Sequence, residues 1–457
     1  MKSGLYLLIL IIFLLPHDST AEIIYVDGSI DRSGCNTYDV SSRICTTGLN
    51  SAFRTIQSAL DVTDYGDTIL IREGFYPEKL IIDSSTEKAG FITLSNFKDE
   101  PVLIDGNNPD LGPLITINCD NVRISGLKIS HSSSFGIISR NTDTIFIKNC
   151  EVSYSNDGGI VFVDASNITV TDCEVHHNNY RGLEAAHEAI SFHNVHGFEV
   201  ARCQVYDNKE EGIDGKYGSK DGIIHHNTVF RNNGPNIYID KANHIDVYNN
   251  LVHSAVSKAG ISLNIESKWH TEGLAWTLQH VNIYNNIIYN NSGGIGFWLE
   301  EGDGEELQAK WDYINIYNNT IVNNARQGEN RGGGIYIINL NSENFGKNIS
   351  ICNNLFSGNV SDVSKTIWNW RENELLDKIS IFNNLFIQNE ASNAFGKNPV
   401  MAVNPGFMNP DIFEFRLTPD SDAIDTGTEI LYPETDYDGI SRPIQDGPDI
   451  GAFEFRK

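Results

Sequence analysis

The chain has 457 residues, 40% of them hydrophobic, and its formal charge is −27 because 60 acidic residues outnumber 33 basic ones. A protein this acidic is repelled by nucleic acids and by anionic membrane surfaces, so we exclude both as partners. The hydrophobic content suffices for one large core. A chain of this length need not be divided into several globular domains if it is built of structural repeats.

Residues 1–21 are predicted to be a secretory signal peptide. Lys2 precedes the apolar run Leu5–Leu15, and residues 19–21 (Ser-Thr-Ala) offer a small-residue cleavage site. The run is too short for a comfortable membrane span, and no later stretch of the sequence is long and apolar enough for one. We therefore expect a secreted or cell-surface protein, with an uncleaved anchor as the alternative.

Residues 22–120 are predicted to form an N-terminal cap and the first coils of a repeat. Residues 51–60 place apolar side chains at helical spacing after Ser51, which could cap the helix. Such a helix would cover the open end of a stack of sheets. Cys35 and Cys45 lie in a polar loop, where an exported protein could form a disulfide.

Residues 121–390 carry a repeat with a period of 23 to 36 residues, made of short alternating strands without a helical pattern. This pattern is typical of an all-β parallel solenoid. The residues that mark the repeat are Gly126, Cys150, Cys173, Cys203, Asn227, Asn250, Asn286, Asn319, Asn354 and Asn384. We interpret the stacked cysteines as buried core and the asparagines as a hydrogen-bonded ladder, because catalytic residues would not recur in every coil.

Three insertions lengthen the later coils, at residues 267–280, 300–312 and 365–378, and all six tryptophans lie in or beside them. Insertions of this kind often form the wall of a binding groove. We predict that Trp269 and Trp298 stack on sugar rings, with packing of the insertions as the alternative. Residues 391–457 lack the repeat and are predicted to cap the C-terminal end.

Aligning three consecutive coils predicts a polar patch. If Ile190, Ile213 and Ile237 point inward, their alternate neighbours form two outward columns. The first column is Ser191, Asp214 and Tyr238, and the second is His193, Lys216 and Asp240. Glu188 and Glu211 stack just before these strands. The corresponding positions of other coils are mostly apolar, such as Val161 and Val163 or Tyr336 and Ile338, so the charge is localised.

Stacked carboxylates are costly on a sheet unless a cation holds them together. We predict a Ca²⁺ site formed by Glu188, Glu211, Asp214 and Asp240, since calcium prefers oxygen ligands. Lys216 is the candidate for proton transfer, because the pKa of an amine shifts readily in such surroundings. The remaining candidates are His193 and Arg181 for catalysis and Glu184, Tyr238 and Lys241 for substrate contacts. The alternative is a solvated polar face in which Lys216 pairs with Asp214 or Asp240.

Three segments resemble a known group of proteins. The start (YVDGS, FRTIQSAL and GDTILIREGFYPE) is similar to that of secreted right-handed parallel β-helix proteins, including family 9 pectate lyases, and the end (DYDGISRP and GPDIGAFEF) resembles a tail common in such proteins. The segment EGIDGKYGSKDG at 211–222 is similar to the acidic-then-lysine arrangement of that family. The resemblance implies Asp214 for the metal and Lys216 for the base, although no dense aspartate pair matches the family's calcium site.

The resemblance implies a calcium-dependent lyase that cleaves an acidic, uronic-acid-containing polysaccharide by β-elimination, with a lysine as base. A glycoside hydrolase using the carboxylates and a uronan C5-epimerase are alternatives on the same fold. A surface or adhesive β-helix that binds glycans without catalysis is the alternative from another class. We expect a monomer.

Overall fold

The computed structural model describes residues 21–46, 48–84, 89–107, 112–182, 185–266, 275–299, 309–324, 333–338, 344–346, 348–359, 367–369, 378–387, 396–430 and 433–457. The predicted signal peptide lies outside these residues, apart from Ala21. Among the described residues, no helix has the length and apolar character needed to cross a membrane.

The chain winds through three long sheets in the same order in each coil, and neighbouring coils pair in parallel. Sheet A has sixteen described strands, of which the first few are partly antiparallel. They are Ile23–Val26, Gly34–Asp39, Ile44–Cys45, Asn50–Phe53, Thr68–Ile71, Ile92–Asn96, Val122–Ser125, Asp143–Lys148, Ser166–Thr171, His196–Ala201, Lys220–His225, Asn243–Tyr248, Thr277–Tyr284, Lys310–Tyr317, Ile349–Cys352 and Ser380–Phe382.

Sheets B and C have thirteen and eleven described strands. Sheet B contains Gly74–Tyr76, Val102–Asp105, Lys128–Ser130, Glu151–Ser153, Glu174–His176, Gln204–Tyr206, Thr228–Phe230, Leu251–His253, Ile287–Tyr289, Thr320–Val322, Leu355–Ser357, Leu385–Ile387 and Val400–Ala402. Sheet C contains Leu80–Ile82, Ile115–Ile117, Ile137–Arg140, Ile160–Val163, Ile190–His193, Ile213–Lys216, Ile237–Asp240, Ala259–Ile265, Gly293–Leu299, Ile335–Ile338 and Ile367–Asn369.

The core runs along the axis between the three sheets, as one continuous cluster of aliphatic and aromatic side chains. Cys150, Cys173 and Cys203 are buried in it, which confirms the prediction that they belong to the core. The five asparagines from Asn250 to Asn384 are fully buried. Their side-chain amides donate hydrogen bonds to the asparagine of the next coil. Asn250 Nδ2 donates to Asn286 Oδ1 at 3.0 Å, and Asn319 Nδ2 donates to Asn354 Oδ1 at 2.9 Å.

A second amide ladder was not predicted. It lies at the turn between sheets B and C, where Asn291 Nδ2 donates to Asn324 Oδ1 at 2.9 Å and Asn324 Nδ2 to Asn359 Oδ1 at 3.0 Å. Buried amides must be hydrogen-bonded. The two ladders therefore satisfy backbone N–H groups of the turns inside the solenoid.

The N-terminal helix is shorter than predicted. Residues Asn50–Phe53 form a strand that pairs with Ile23–Val26, and the helix covers only Ile56–Leu60. Thr55, not Ser51, caps it, by accepting a hydrogen bond from the Ser58 amide. The apolar residues Ala52 and Phe53 belong to this strand, so the helical spacing holds only from Ile56 onward. The disulfide between Cys35 and Cys45 is formed.

The C-terminal segment does more than cover the last coil. Val400–Ala402 adds a final parallel strand to sheet B, and the chain then runs back along the side of the solenoid. A column of asparagines in the left-handed backbone region holds it there. Asn285 Nδ2 donates to the Thr435 carbonyl at 2.7 Å and Asn383 Nδ2 to the Thr426 carbonyl at 2.8 Å, so the contact spans several coils.

A small antiparallel pair, Phe407–Asn409 and Glu414–Leu417, follows the last parallel strand, and the short 3-10 helix Pro410–Ile412 connects its two strands. Phe415 and Phe453 pack with Tyr289 of sheet B. The predicted end cap is therefore also a lateral strap.

Candidate functional site

The pairing of the three central coils follows the predicted register. Ile190 pairs with Ile213 and Ile213 with Ile237, and all three side chains are fully buried. The two predicted outward columns of sheet C are therefore correct. We call the residues of these columns and their polar neighbours the sheet C cluster, comprising His187, Glu188, Ser191, His193, Glu210, Glu211, Asp214, Lys216, Tyr217, Tyr238, Asp240, Lys241, Asn264 and Glu266.

The predicted polar patch is not a solvated surface at its centre. Asp214 and Asp240 have no exposed area, and Lys216 is only 6% exposed. They point away from the hydrophobic core, but they are covered by one another and by neighbouring polar side chains. Glu188, His193, Glu210 and Glu211 are half-buried and form the accessible rim.

Lys216 lies between two carboxylates. Its Nζ is 3.0 Å from Asp214 Oδ2 and donates a short hydrogen bond to Glu188 Oε1. Of the two partners considered in the alternative interpretation, Asp214 is therefore the one observed. Burial disfavours the ammonium, but the charges of Asp214 and Glu188 raise the pKa of Lys216 well above its usual 10.5.

Glu188 is the carboxylate that stays ionised. Burial opposes its charge, but Lys216 lowers the pKa of Glu188 to about 2. Ser191 Oγ also donates to Glu188 Oε2 at 3.2 Å, and His187 Nδ1 lies 3.3 Å from the same hydroxyl. Burial lowers the pKa of His187 to about 4, so its imidazole is neutral.

Glu211 and Glu210, in contrast to Glu188, have raised pKa values. Burial and the nearby negative charge of Glu188 raise the pKa of Glu211 to about 8 and that of Glu210 to about 7. The same two causes raise the pKa of Asp214 well above its usual value. Neighbouring carboxyl groups whose pKa values are pushed apart are typical of acid–base sites.

His193 follows Phe192 at the end of its strand and is paired in register with Lys216. Burial and the positive charge of Lys216 lower the pKa of His193 below its usual 6.5. Its ring packs edge-on against Tyr217, with the ring centroids 4.9 Å apart. A half-exposed neutral imidazole beside an ammonium group can accept a proton at neutral pH.

The adjoining part of the cluster is organised around Glu266. Tyr238 Oη donates to Glu266 Oε1 at 2.7 Å, and Tyr217 Oη donates to Glu266 Oε2 at 2.5 Å. Lys241 Nζ donates to the Glu266 carbonyl at 2.6 Å and lies 4.6 Å from the centre of the Tyr217 ring. Burial, and then the charge of Glu266, raise the pKa of Asp240 well above its usual value.

The other candidates are placed as follows. Arg181 donates two hydrogen bonds to Asp157, at 2.9 and 3.1 Å, so its guanidinium is fixed at a neighbouring turn. Tyr238 and Lys241 were predicted to contact substrate, but they are 3% and 2% exposed and bonded to Glu266 and its backbone. Glu184 and Trp269 lie outside the described residues.

Trp298 belongs to the same outward column of sheet C as Lys216. The register runs from Lys216 through Asp240 and Asn264 to Trp298. Its indole is half-buried, and Lys258 Nζ lies 4.9 Å from the ring centre. Trp311, in contrast, is fully buried in the core, as the packing alternative for the tryptophans predicts.

The predicted calcium ligands do not fit a cation in this arrangement. Glu188 and Asp214 face the Lys216 ammonium instead of converging on an open point. Within the described residues, no group of three or more His, Cys, Asp or Glu side chains is placed to hold a metal ion. Calcium binding stays a prediction from the sequence.

Sequence reasoning missed Glu266, Tyr217, Glu210 and Asn264. Glu266 directly follows the strand Ala259–Ile265, which is longer than the preceding strand of its sheet, and Tyr217 has a positive φ of 51° just after Lys216. A column alignment restricted to the strands does not include these two positions, and extending it by one residue past each strand would have found them. Asn264 lies inside its strand, one coil beyond the three aligned coils.

Comparisons with known proteins agree with this architecture. A family model described as a right-handed beta helix region matches residues 113–268. A crystal structure of pectate lyase Pel9A is similar with a TM-score of 0.50 and 14% sequence identity, over 96% of this chain and 97% of that one. The complex structure of XylC with xylose is similar with a TM-score of 0.50 and 10% identity, over 95% and 98% of the two chains.

No curated protein sequence matches the chain. At 10 and 14% identity, the likeness to the two solved structures concerns the fold alone. The family model and the parallel sheets together confirm the predicted fold class. The chain is an all-β, right-handed parallel β-helix of the kind seen in that pectate lyase.

Proposed function

We propose that the protein is a secreted polysaccharide lyase that cleaves a uronic-acid-containing chain by β-elimination at the rim of the sheet C cluster. The observation that carries this proposal is that one cluster combines a charged Lys216, a neutral base, His193, paired with it in register, and a neutral acid, Glu211. β-Elimination needs these three kinds of group.

The charge states of His193, Lys216 and Glu211 determine the catalytic role that we assign to each. A lysine acts as a base only when it is neutral, and the pKa of Lys216 is raised by its two carboxylate neighbours. We therefore assign the base to His193, which takes the C5 proton of the uronic acid. The Lys216 ammonium stabilises the negative charge that develops on the sugar carboxylate. Glu211 donates a proton to the glycosidic oxygen as that bond breaks.

Hydrolysis is the second candidate, and one observation favours it. Glu188 stays ionised with a pKa of about 2, while Glu211 stays protonated up to about pH 8. An ionised and a protonated carboxyl group are what a glycoside hydrolase needs. However, Glu188 is already bonded to Lys216 and Ser191, which leaves it less free to activate water.

The test is to incubate the mature protein with polygalacturonate, alginate and a glucuronan, and to follow ultraviolet absorbance and new reducing ends in the same samples. Pectic uronan is included because a pectate lyase shares the fold. β-Elimination produces an unsaturated, absorbing sugar with each new reducing end. Reducing ends without absorbance would establish hydrolysis instead, and a change of C5 configuration without cleavage would establish epimerisation. Binding without any product would leave the non-catalytic alternative.

A further inference from the structure

A second site lies on sheet A, away from the sheet C cluster. An open depression with a volume of about 360 Å³ crosses the three strands Asn243–Tyr248, Thr277–Tyr284 and Lys310–Tyr317. Its lining residues are His244, Asp246, His280, Asn282, Tyr313 and Asn315. We call it the sheet A trough.

One side of the trough is a column of stacked rings. The His244 and His280 rings have centroids 4.5 Å apart and lie within 3° of parallel, and His280 and Tyr313 are also 4.5 Å apart. This column follows the axis of the solenoid in step with the coils. All three residues line the depression.

The other side is a polar column. Asn315 Nδ2 donates to Asn282 Oδ1 at 2.9 Å, and Asn282 Nδ2 donates to Asp246 Oδ1 at 2.8 Å. An amide nitrogen has two donor hydrogens, and each of these bonds uses one. Both asparagines therefore retain a hydrogen for a ligand, and the aspartate retains acceptor capacity.

The ring column occupies backbone positions in the left-handed region. His244, His280 and Tyr313 have φ values of 55°, 55° and 51°. In the preceding coils the same left-handed position holds smaller residues, namely Thr144, Asn167, Gly197 and Asp221. Glycine, asparagine, aspartate and histidine tolerate this conformation best. The change from small side chains to rings coincides with the three coils that form the depression.

The lining also limits the chemistry of the ligand. It contains one carboxylate and no lysine or arginine, so the trough repels anions. Amides, imidazoles, a phenol and a carboxylate are suitable partners for hydroxyl groups. Three coils about 4.8 Å apart give the trough room for an elongated ligand.

We propose that the sheet A trough binds a neutral, hydroxyl-rich glycan chain lying along the solenoid axis. The site is independent of the reaction proposed for the sheet C cluster. It gives the protein a contact with uncharged polysaccharide on a separate face of the same solenoid.

The test is calorimetric titration of the mature protein with xylohexaose, mannohexaose and cellohexaose, and with an oligogalacturonate as the anionic probe. At least one neutral hexasaccharide should bind. Asn282→Ala should weaken that binding about tenfold, since it removes hydrogen bonds to the ligand. Thr169→Ala is the matched control, because Thr169 occupies the same outward column three coils before Asp246 and lies outside the trough.

A second variant separates binding from folding. Tyr313→Asn places a residue suited to φ of 51° at the last ring position, so the protein should fold normally and lose affinity for the neutral glycan. Unchanged affinity in Asn282→Ala and Tyr313→Asn would overturn the proposal. Failure of all three neutral probes to bind, or loss of neutral binding in Lys216→Met, would also overturn it.

Discussion

The asparagine ladder and the sheet C cluster are both buried and polar, yet they are built differently. In the ladder, each amide is neutral and bonded on both sides, as with Asn286, which accepts from Asn250 at 3.0 Å and donates to Asn319 at 3.0 Å. In the cluster, charges of both signs shift one another's pKa values. Asp240 Oδ2 has no hydrogen-bond partner among the described residues.

This difference indicates a structural role for the asparagine ladder and a chemical role for the sheet C cluster. A satisfied ladder of neutral amides stabilises each turn and can recur in every coil. A cluster of buried charges costs desolvation free energy, which mutual attraction only partly offsets. The ladder therefore runs through many coils, whereas the cluster is confined to a few. We interpret the confined, costly arrangement as the functional one.

The largest expected effect is on turnover. His193→Ala should lower the rate of unsaturated product formation by about 10²–10⁴-fold, the usual contribution of a general base. His196→Ala is the control, since His196 is exposed and lies at the start of the next sheet A strand. Wild-type turnover in His193→Ala would contradict the assignment of the base.

A substitution in the asparagine ladder should lower the unfolding free energy instead of the turnover. Asn286→Ala removes the acceptor of the Asn250 backbone and side-chain N–H groups, which should cost about 2–3 kcal/mol of unfolding free energy. Asn282→Ala, on the half-buried outer face of the same coil, should cost about 0.5 kcal/mol or less. Urea unfolding measures both. Equal losses in the two variants would show that burial of the ladder has no special role.

The cluster should also set the pH profile of kcat/KM. Activity should rise with pH as His193 loses its proton, at a pKa below 6.5, because only the neutral imidazole accepts a proton. It should fall again near pH 8, as Glu211 loses the proton it donates. Glu211→Gln should remove the alkaline limb along with most of the activity. A profile that keeps rising above pH 9 would instead favour a lysine base.

The smallest expected effect is that of calcium. Because Lys216 holds Glu188 and Asp214, we expect chelation by EGTA to leave turnover and thermal stability unchanged. Activity that is lost in EGTA and restored by Ca²⁺ would support the calcium site predicted from the sequence, and would require Lys216 to move.

The sequence was sufficient for the fold because the repeat aligns residues that pair between coils. The register of Ile190, Ile213 and Ile237 follows from it directly. It also places His193 beside Lys216. It did not reveal the lateral position of the C-terminal strap, because that contact joins repeated asparagines, such as Asn383, to backbone carbonyls of a segment that has no repeat pattern.

The burial and the charge states of the sheet C cluster could also not be predicted from the sequence. Column alignment gives the direction of a side chain relative to the sheet, but not what covers it. Lys216 points away from the core as predicted and is nevertheless buried, and that burial, together with its two carboxylate neighbours, decides its charge. The role of the lysine therefore changes from a base to a fixed positive charge.

The most direct test of the central claim is to replace the charged centre by apolar side chains and to measure turnover and stability together. In the triple variant Glu188→Leu, Asp214→Leu and Lys216→Met, we predict no unsaturated product and an unfolding free energy lowered by no more than about 1 kcal/mol, since apolar substitutes for buried ion pairs are often neutral or stabilising. Wild-type product formation by this variant would contradict the claim that the sheet C cluster performs the chemistry, and a loss of several kcal/mol would assign the cluster to stability instead.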